Sequence, residues 1–123
     1  MEKLVIIDSC MRAESRTRRI LNAAKEVLSQ RYDIEIIDVN AAGLLPLTPE
    51  GLAERTSGIV PEPTLKLAKT IAAADRLVVA APFWDMSFPA ALKAFFENMS
   101  LYGVTFEDNG QTCVGLCKCK KIM

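Results

Sequence analysis

Short aliphatic runs alternate with amphipathic helical stretches along this chain, and the alternation constrains the fold more than any other feature. The run Leu4–Ile7 is continuously aliphatic, which is typical of a strand buried on both faces. Further strands are predicted at 33–39 and 76–81, and a fourth at 119–123. Because helical segments separate the runs, we expect a parallel sheet covered by helices in an α/β sandwich.

Helical periodicity fills the intervals between these strands. One stripe of apolar side chains runs along Ser15–Arg31, and a second helix is predicted over about Pro63–Ala74. A third helix is predicted to begin at Pro89, because proline suits the first turn of a helix. Residues 40–62 contain three prolines and three glycines, so we expect a long loop there. The Asn-Gly pair at 109–110 predicts a β-hairpin.

Length and composition narrow the classes of function. The 123 residues suffice for a single domain, 1–123, and the 15 basic residues balance the 15 acidic ones. A chain without excess positive charge is a poor candidate for binding nucleic acid. No apolar run approaches the roughly 20 residues of a membrane helix, and the N-terminus lacks a signal-peptide pattern. We therefore expect a cytoplasmic protein without nucleic-acid or membrane partners.

The chain contains no histidine, which removes the commonest general base and metal ligand. Any chemistry must then come from carboxylates, thiols, backbone amides or a bound cofactor. The four cysteines, Cys10, Cys113, Cys117 and Cys119, are expected to be reduced thiols. The last three lack the Cys-x-x-Cys spacing that is usual in zinc sites, so we expect small apolar packing or free thiols there and no metal.

Two loops follow the carboxyl ends of predicted strands, where parallel α/β sheets bind their ligands. The first, residues 8–17, precedes a helix, and the start of a helix favours an anion. It supplies hydroxyl groups and positive charge from Ser9, Ser15, Thr17, Arg12 and Arg16. A phosphate group fits this set; the alternative is that Ser15 only caps the helix.

The second loop, residues 82–88, carries aromatic side chains. Phe83 and Trp84 are adjacent on it, and such a pair suits the covering of a flat ring. The alternative is that Phe83 and Phe88 belong to the core and that Trp84 is a buried anchor. This loop alone leaves both interpretations open.

Together the two loops resemble those of the flavodoxin-like NAD(P)H:quinone reductases, and most closely the FMN-dependent NADH-azoreductases. The similarity spans nearly the whole chain and includes Ser9, residues 15–17, the segment Ile37–Asn40 and residues 103–110. It is strongest from Ala80 to Glu97. The resemblance implies a flavodoxin-like three-layer sandwich with the sheet order 2-1-3-4.

The resemblance also implies a cofactor, an activity and an assembly. The phosphate of FMN would be held by Ser9, Ser15, Arg16 and Thr17, and its ring by Pro82, Phe83, Trp84, Asp85 and Met86. The implied reaction is a two-step reduction of quinones or azo compounds by NADH or NADPH. The implied homodimer would use the 40–62 segment and the helix after Pro89. An independent reason to expect a dimer lies in this helix and the residues after it. They carry more apolar surface than a shortened domain is expected to bury, on Phe95, Phe96, Met99, Leu101 and Tyr102.

The chain departs from the family pattern at two points. The family typically has asparagine where Asp85 stands, and an ionised carboxylate donates no hydrogen bond and opposes negative charge on a reduced flavin. The chain also ends at Met123, where the family begins its fourth core strand, so the domain is incomplete relative to the family. We expect either the N-terminal part of a longer protein or a truncated protein that relies on a partner chain.

Two other classes of function stay open. The segment Cys10–Thr17 matches the tyrosine-phosphatase signature of low-molecular-weight phosphatases and arsenate reductases. Cys10 would then be the nucleophile and Arg16 would bind the oxyanion. Against this, Glu14 lies inside the would-be phosphate cradle and no convincing Asp-Pro acid loop is present. The remaining alternative is a flavin-free interaction module with the same fold.

Overall fold

A parallel three-stranded sheet forms the centre of the protein, whose computed structural model describes all residues, 1–123. Its strands are β1 (Glu2–Asp8), β2 (Tyr32–Asp38) and β3 (Arg76–Ala80), in the order β2-β1-β3. Residues 4–7 of the central strand are buried, because both faces of β1 are covered. The predicted positions of these strands and their order are confirmed.

The last residues of the chain run beside β3. The Leu77 N–H donates to the Lys121 carbonyl at 3.3 Å, and the Val79 N–H donates to the Met123 carbonyl at 2.7 Å. Leu77 and Ile122 form a parallel bridge. The segment therefore occupies the fourth position of the predicted order, as a bridge beside the sheet rather than a full strand.

Helices cover the two faces of the sheet unequally. They are α1 (Arg16–Leu28), α2 (Val39–Ala42), α3 (Pro49–Thr56), α4 (Glu62–Ala73) and α5 (Ala90–Met99). On one face, Leu4 and Ile6 pack with Leu21 of α1. On the other face, the larger core joins Val5 and Ile7 to side chains of α4 and α5. This alternation follows from the period of two residues along a strand.

The prediction of a long loop over 40–62 is wrong, because α2 and α3 lie within the segment. Asp38 caps α2 by accepting the Asn40 N–H at 2.9 Å. Thr48 caps α3 by accepting the Gly51 N–H at 3.0 Å, and Pro49 begins that helix. A threonine followed by a proline is a helix-start signal, and the prolines and glycines around it masked that signal.

Burial of two helices also differs from the prediction. Ile20 and Val27 of α1 belong to the predicted core stripe, yet they are 73% and 63% exposed. Conversely, Phe95, Met99 and Leu101 are buried, so they are not the surplus apolar surface that we expected. Periodicity identifies the apolar face of a helix, and neighbouring elements decide how much of it is covered.

The predicted hairpin is present as β4 (Phe106–Asp108) and β5 (Cys113–Gly115), which pair antiparallel. Beyond it, Cys117 and Cys119 both lie against the larger core, on one face as their alternation predicts. Burial raises the pKa of the Cys117 thiol. None of the helices combines the length and the apolar character that crossing a bilayer requires.

Candidate functional site

The loops after β1 and β3 meet at the carboxyl edge of the sheet, where the chain switches from one side of β1 to the other. We call residues 9–15 the β1 loop and residues 81–89 the β3 loop. The N–H and the hydroxyl of Ser9 both donate to the Ala80 carbonyl, at 2.9 and 2.7 Å. Met11 of the β1 loop and Trp84 and Asp85 of the β3 loop line one cleft of about 350 Å³. The two loops therefore lie side by side, and of the predicted ligands Trp84 and Asp85 line the cleft, whereas Arg16 lines a separate groove with Arg19.

Polar contacts hold the β1 loop in place. Asp8 accepts the Cys10 N–H at 2.9 Å and pairs with the Arg18 Nε at 3.3 Å. Arg18 also donates to the carbonyl of Cys10 at 2.7 Å and to that of Arg12 at 3.3 Å. Asn40 adds a third donor to this network, to the Cys10 carbonyl at 3.2 Å. Nothing in the sequence predicts these contacts of Arg18 and Asn40, because no local pattern marks contacts between residues 8 and 30 positions apart.

The same loop presents unpartnered N–H groups. The backbone N–H groups of residues 11–14, and those of Arg16 and Thr17, donate no hydrogen bond within the chain. Residues 11–14 are also exposed. Free N–H groups at the start of a helix, together with the helix dipole, form an anion-binding site.

The predicted phosphate ligands differ in what they contact. Ser9 is buried and its hydroxyl bonds to β3. Ser15 caps α1 by accepting the Arg18 N–H at 3.1 Å. Arg16 is exposed and forms no ion pair, and the Thr17 hydroxyl forms no hydrogen bond. Arg16, Thr17 and the loop N–H groups are therefore the groups with free hydrogen-bonding capacity.

The β3 loop contains a tight turn with two residues in the left-handed region. The Trp84 N–H donates to the Ser87 carbonyl at 2.6 Å, and the Ser87 N–H donates back at 2.8 Å. The turn residues between them, Asp85 and Met86, have φ values of 47° and 66°. Such positive φ values cost non-glycine residues roughly 1 kcal/mol or more each. The N–H groups of Asp85 and Met86 donate no hydrogen bond and are available to a ligand.

Apolar side chains of the β3 loop lie largely in solvent. Phe83 is 73% exposed, and Trp84 and Phe88 are about half as exposed. The interpretation of Phe83 and Phe88 as core residues and of Trp84 as a buried anchor is therefore wrong. Phe88 contacts Phe96 of α5 edge to face, with ring centroids 6.4 Å apart. Pro82 is half-buried where the loop leaves the strand.

Cys10 does not have the environment of a nucleophile. Its side chain is 1% exposed and packs with Leu4, Ile6 and Leu21 between the sheet and α1. Burial raises the pKa of the Cys10 thiol, whereas reactive thiols are exposed and have lowered pKa values. This geometry argues against the phosphatase alternative.

Comparison with known proteins agrees with the fold. The family model described as "Flavodoxin-like fold" matches residues 1–123. The chain is 36% identical to FMN-dependent NADH:quinone oxidoreductase 2 of Clostridium acetobutylicum, over 98% of this chain and 64% of that protein. The corresponding protein of Coprothermobacter proteolyticus is 34% identical over 88% of this chain and 57% of its own length. The chain thus spans less than two thirds of the length of these relatives.

Solved structures show the same fold. NAD(P)H:quinone oxidoreductase from Methanothermobacter marburgensis superposes with a TM-score of 0.82 at 24% identity, covering 99% of this chain and 64% of that chain. Azoreductase from Bacillus anthracis gives a TM-score of 0.78 at 20% identity, over 99% of this chain and 66% of that chain. With the family model matching the full length, this chain belongs to the flavodoxin-like fold family.

Proposed function

We propose that this chain is an FMN-dependent oxidoreductase that transfers electrons from NADH or NADPH to a quinone or an azo compound in two successive steps. The observation that carries the proposal is the meeting of the β1 and β3 loops at one cleft. One side of this site offers free N–H groups, and the other offers exposed aromatic side chains. The names of the relatives, FMN-dependent NADH:quinone oxidoreductases and azoreductases, support the reaction class.

The donors present fit FMN. A phosphate dianion needs several N–H donors and positive charge, which the β1 loop, Thr17 and the unpaired Arg16 provide. A flat, largely apolar ring suits the cleft lined by Met11 and Trp84. The N–H groups of residues 85 and 86 suit the acceptor atoms on the polar edge of such a ring.

When bound, FMN would supply the hydride chemistry, which amino-acid side chains do not provide. The β1 loop would fix the phosphate and so set the position of the ring over the β3 loop. Phe83, Trp84 and Met86 would shield the ring from water and offer a surface on which a planar acceptor stacks. In this scheme the chain binds, orients and excludes water, and it contributes no catalytic acid or base.

Activity with added FMN tests the proposal. We expect NADH or NADPH oxidation that requires both FMN and a quinone or azo acceptor, with each reductant followed separately. Arg16→Gln should lower the apparent affinity for FMN by about tenfold, because it removes a charge-assisted contact. Arg31→Gln, in the exposed turn that follows α1, is the matched control and should have no effect.

Two results would contradict the proposed function. An absence of FMN-dependent turnover, with no change in the visible spectrum of FMN, would favour the flavin-free module. Hydrolysis of a phosphate ester that Cys10→Ser abolishes would restore the phosphatase alternative.

We also propose that the protein acts as a homodimer. A groove of about 660 Å³ lies between α3 and α5, and Leu47, Leu52 and Phe96 line it. Leu52 is 57% exposed, and exposed apolar grooves mark interaction surfaces. Sedimentation at tens of micromolar should show a dimer that Leu52→Glu dissociates. Ile20→Glu, on the opposite face of the sheet, should not dissociate it, and a monomeric wild type would refute the proposal.

The cellular compartment is a further proposal. We infer that the protein works in the cytoplasm, because all four cysteines are unpaired, including the exposed Cys113. Fractionation of producing cells should recover the protein with cytoplasmic markers. Recovery from an oxidising compartment would contradict this assignment.

A further inference from the structure

The side chain of Arg18 donates hydrogen bonds to backbone carbonyls of the β1 loop. Its guanidinium donates to the carbonyl of Cys10 at 2.7 Å and to that of Arg12 at 3.3 Å. Asn40, from a different element, donates to the same Cys10 carbonyl at 3.2 Å. The carbonyls of two alternate residues are therefore directed towards α1 and α2 rather than towards the open side of the loop.

The direction of these carbonyls determines the direction of the neighbouring N–H groups. In a trans peptide, the carbonyl of one residue and the N–H of the next point in opposite directions. The Cys10 carbonyl is fixed against Arg18, and the Arg12 carbonyl is fixed by Arg18 together with the Ser15 N–H at 3.2 Å, so the N–H groups of Met11 and Ala13 are turned away from Arg18. Both of these N–H groups are without partners in the chain, and both residues are exposed.

The charge of Arg18 is already neutralised in the fold. Its Nε pairs with Asp8 at 3.3 Å, and the side chains are 30% and 12% exposed. Arg16, by contrast, is exposed and has no carboxylate partner. Direct attraction of an anion is thus left to exposed arginines of this region, Arg12 and Arg16, and Arg18 is committed to the loop.

We propose that Arg18, assisted by Asn40, is a positioning residue that holds the β1 loop in its phosphate-binding form. This inference rests on the proposed binding of FMN. Arg18 withdraws two carbonyl oxygens that would repel a phosphate, and it presents the opposite N–H groups to that phosphate. The sequence predicted positive charge from Arg12 and Arg16 and gave no role to Arg18, whose contacts appear only in the structure.

Titration of the full chain with FMN and with riboflavin tests the proposal, because riboflavin has the same ring and no phosphate. We expect Arg18→Gln and Arg18→Lys to weaken FMN binding by about tenfold each, since lysine keeps the charge but cannot make the paired contacts. Riboflavin binding should change by less than about twofold. Asn40→Ala should show the same preference for FMN with a smaller effect, because it removes one donor of the set.

Arg16 provides the matched control. Arg16→Lys should retain most of the FMN affinity, and the loss in Arg16→Gln should shrink at high salt, because an exposed charge is screened. The proposal is overturned if Arg18→Lys binds FMN as the wild type does, or if Arg18 variants lose riboflavin and FMN equally. If the wild type binds neither flavin, the proposed function itself fails. If Arg18→Gln does not fold, Arg18→Lys and Asn40→Ala decide the matter by the same comparison.

Discussion

The β1 loop and the β3 loop reach the same cleft by different physical means. The β1 loop is fixed by side chains from outside it, since Asp8, Arg18 and Asn40 bind its backbone. The β3 loop is fixed by its own backbone, through two hydrogen bonds across a strained turn, and its side chains lie mostly in solvent. A site for a phosphate needs N–H groups held in place, whereas a site for a ring needs an apolar surface that a ligand can cover. The comparison indicates that the β1 loop is the one held rigid before a ligand binds.

Removal of Asp8 should have the largest effect. Asp8→Ala deletes the acceptor for the Cys10 N–H and leaves Arg18 without its carboxylate, so we expect a loss of about 3 kcal/mol in the free energy of unfolding. The equivalent change in the other loop, Asp85→Ala, removes a carboxylate without partners. It should cost about 1 kcal/mol, because alanine tolerates the positive φ less well than aspartate. Urea unfolding measures both free energies. Equal losses in the two variants would contradict the claim that side chains fix the β1 loop and that the backbone fixes the β3 loop.

Thiol labelling should separate the rigid loop from the exposed surface. Cys10 is buried and Cys113 is exposed. If opening of the β1 loop costs about 3 kcal/mol, iodoacetamide should modify Cys10 on the order of a hundredfold more slowly than Cys113. Mass spectrometry of peptides gives both rates.

The environment of the Cys10 thiol predicts how the free energy of unfolding depends on pH. Because burial raises the pKa of Cys10 above its ordinary value, 9.0, the native state binds this proton more tightly than the unfolded state does. The stability associated with the buried thiol is therefore lost as pH rises above 9.0 towards the raised pKa. Labelling of Cys10 at the same rate as Cys113 at neutral pH would show that the β1 loop is open.

Substitution of Asp85 should change the redox behaviour of bound FMN more than its binding. Asp85 lines the cleft, and its charge opposes the negative charge of a reduced ring. Asp85→Asn should raise the ratio of reduced-state to oxidised-state affinity by about tenfold, which is about 30 mV in midpoint potential for a two-electron couple. Glu14→Gln in the β1 loop should tighten both states alike and leave the potential unchanged. The same shift of the midpoint potential in both variants would contradict the assignment of the phosphate to the β1 loop and of the ring to the β3 loop.

Relief of the strained turn should have the smallest effect, with the opposite sign. Met86 has a φ of 66°, and Met86→Gly creates an Asp-Gly pair that is favoured in this kind of turn. We expect a gain of about 1 kcal/mol in unfolding free energy. Met11→Gly in the β1 loop, where no positive φ is present, should give a loss of roughly 0.5 kcal/mol. A loss in Met86→Gly would mean that the turn stores no strain.

The sequence predicted what depends on local pattern. Aliphatic runs located the three strands, and the two loops that the sequence singled out do lie next to each other in the structure. The roles of Arg16, Thr17 and Trp84 in binding a ligand remain predictions. The sequence did not predict α3, whose Thr48-Pro49 start lies among other prolines and glycines. It also did not predict the role of Arg18, because a contact to backbone carbonyls leaves no trace in residue spacing.

Burial was the other quantity that the pattern could not supply. Ile20 of α1 and Phe95 of α5 both lie on apolar helix faces, yet the first is 73% exposed and the second is fully buried. The difference arises because α5 packs against α4 and the larger core, whereas the outer side of α1 has no neighbouring element. The number of layers that cover a face is a property of the whole fold.

The central claim is that one ligand spans both loops, with its phosphate on the β1 loop and its ring on the β3 loop. Trp84 is the only tryptophan of the chain and lines the cleft, so its fluorescence reports on a ring bound there. Titration with FMN should quench Trp84 emission to saturation at one flavin per chain, and riboflavin should reach the same amplitude at higher concentration. Inorganic phosphate should compete with FMN without quenching. If FMN gives no saturable quenching, or if riboflavin binds as tightly as FMN, the claim that the two loops form one flavin site is contradicted.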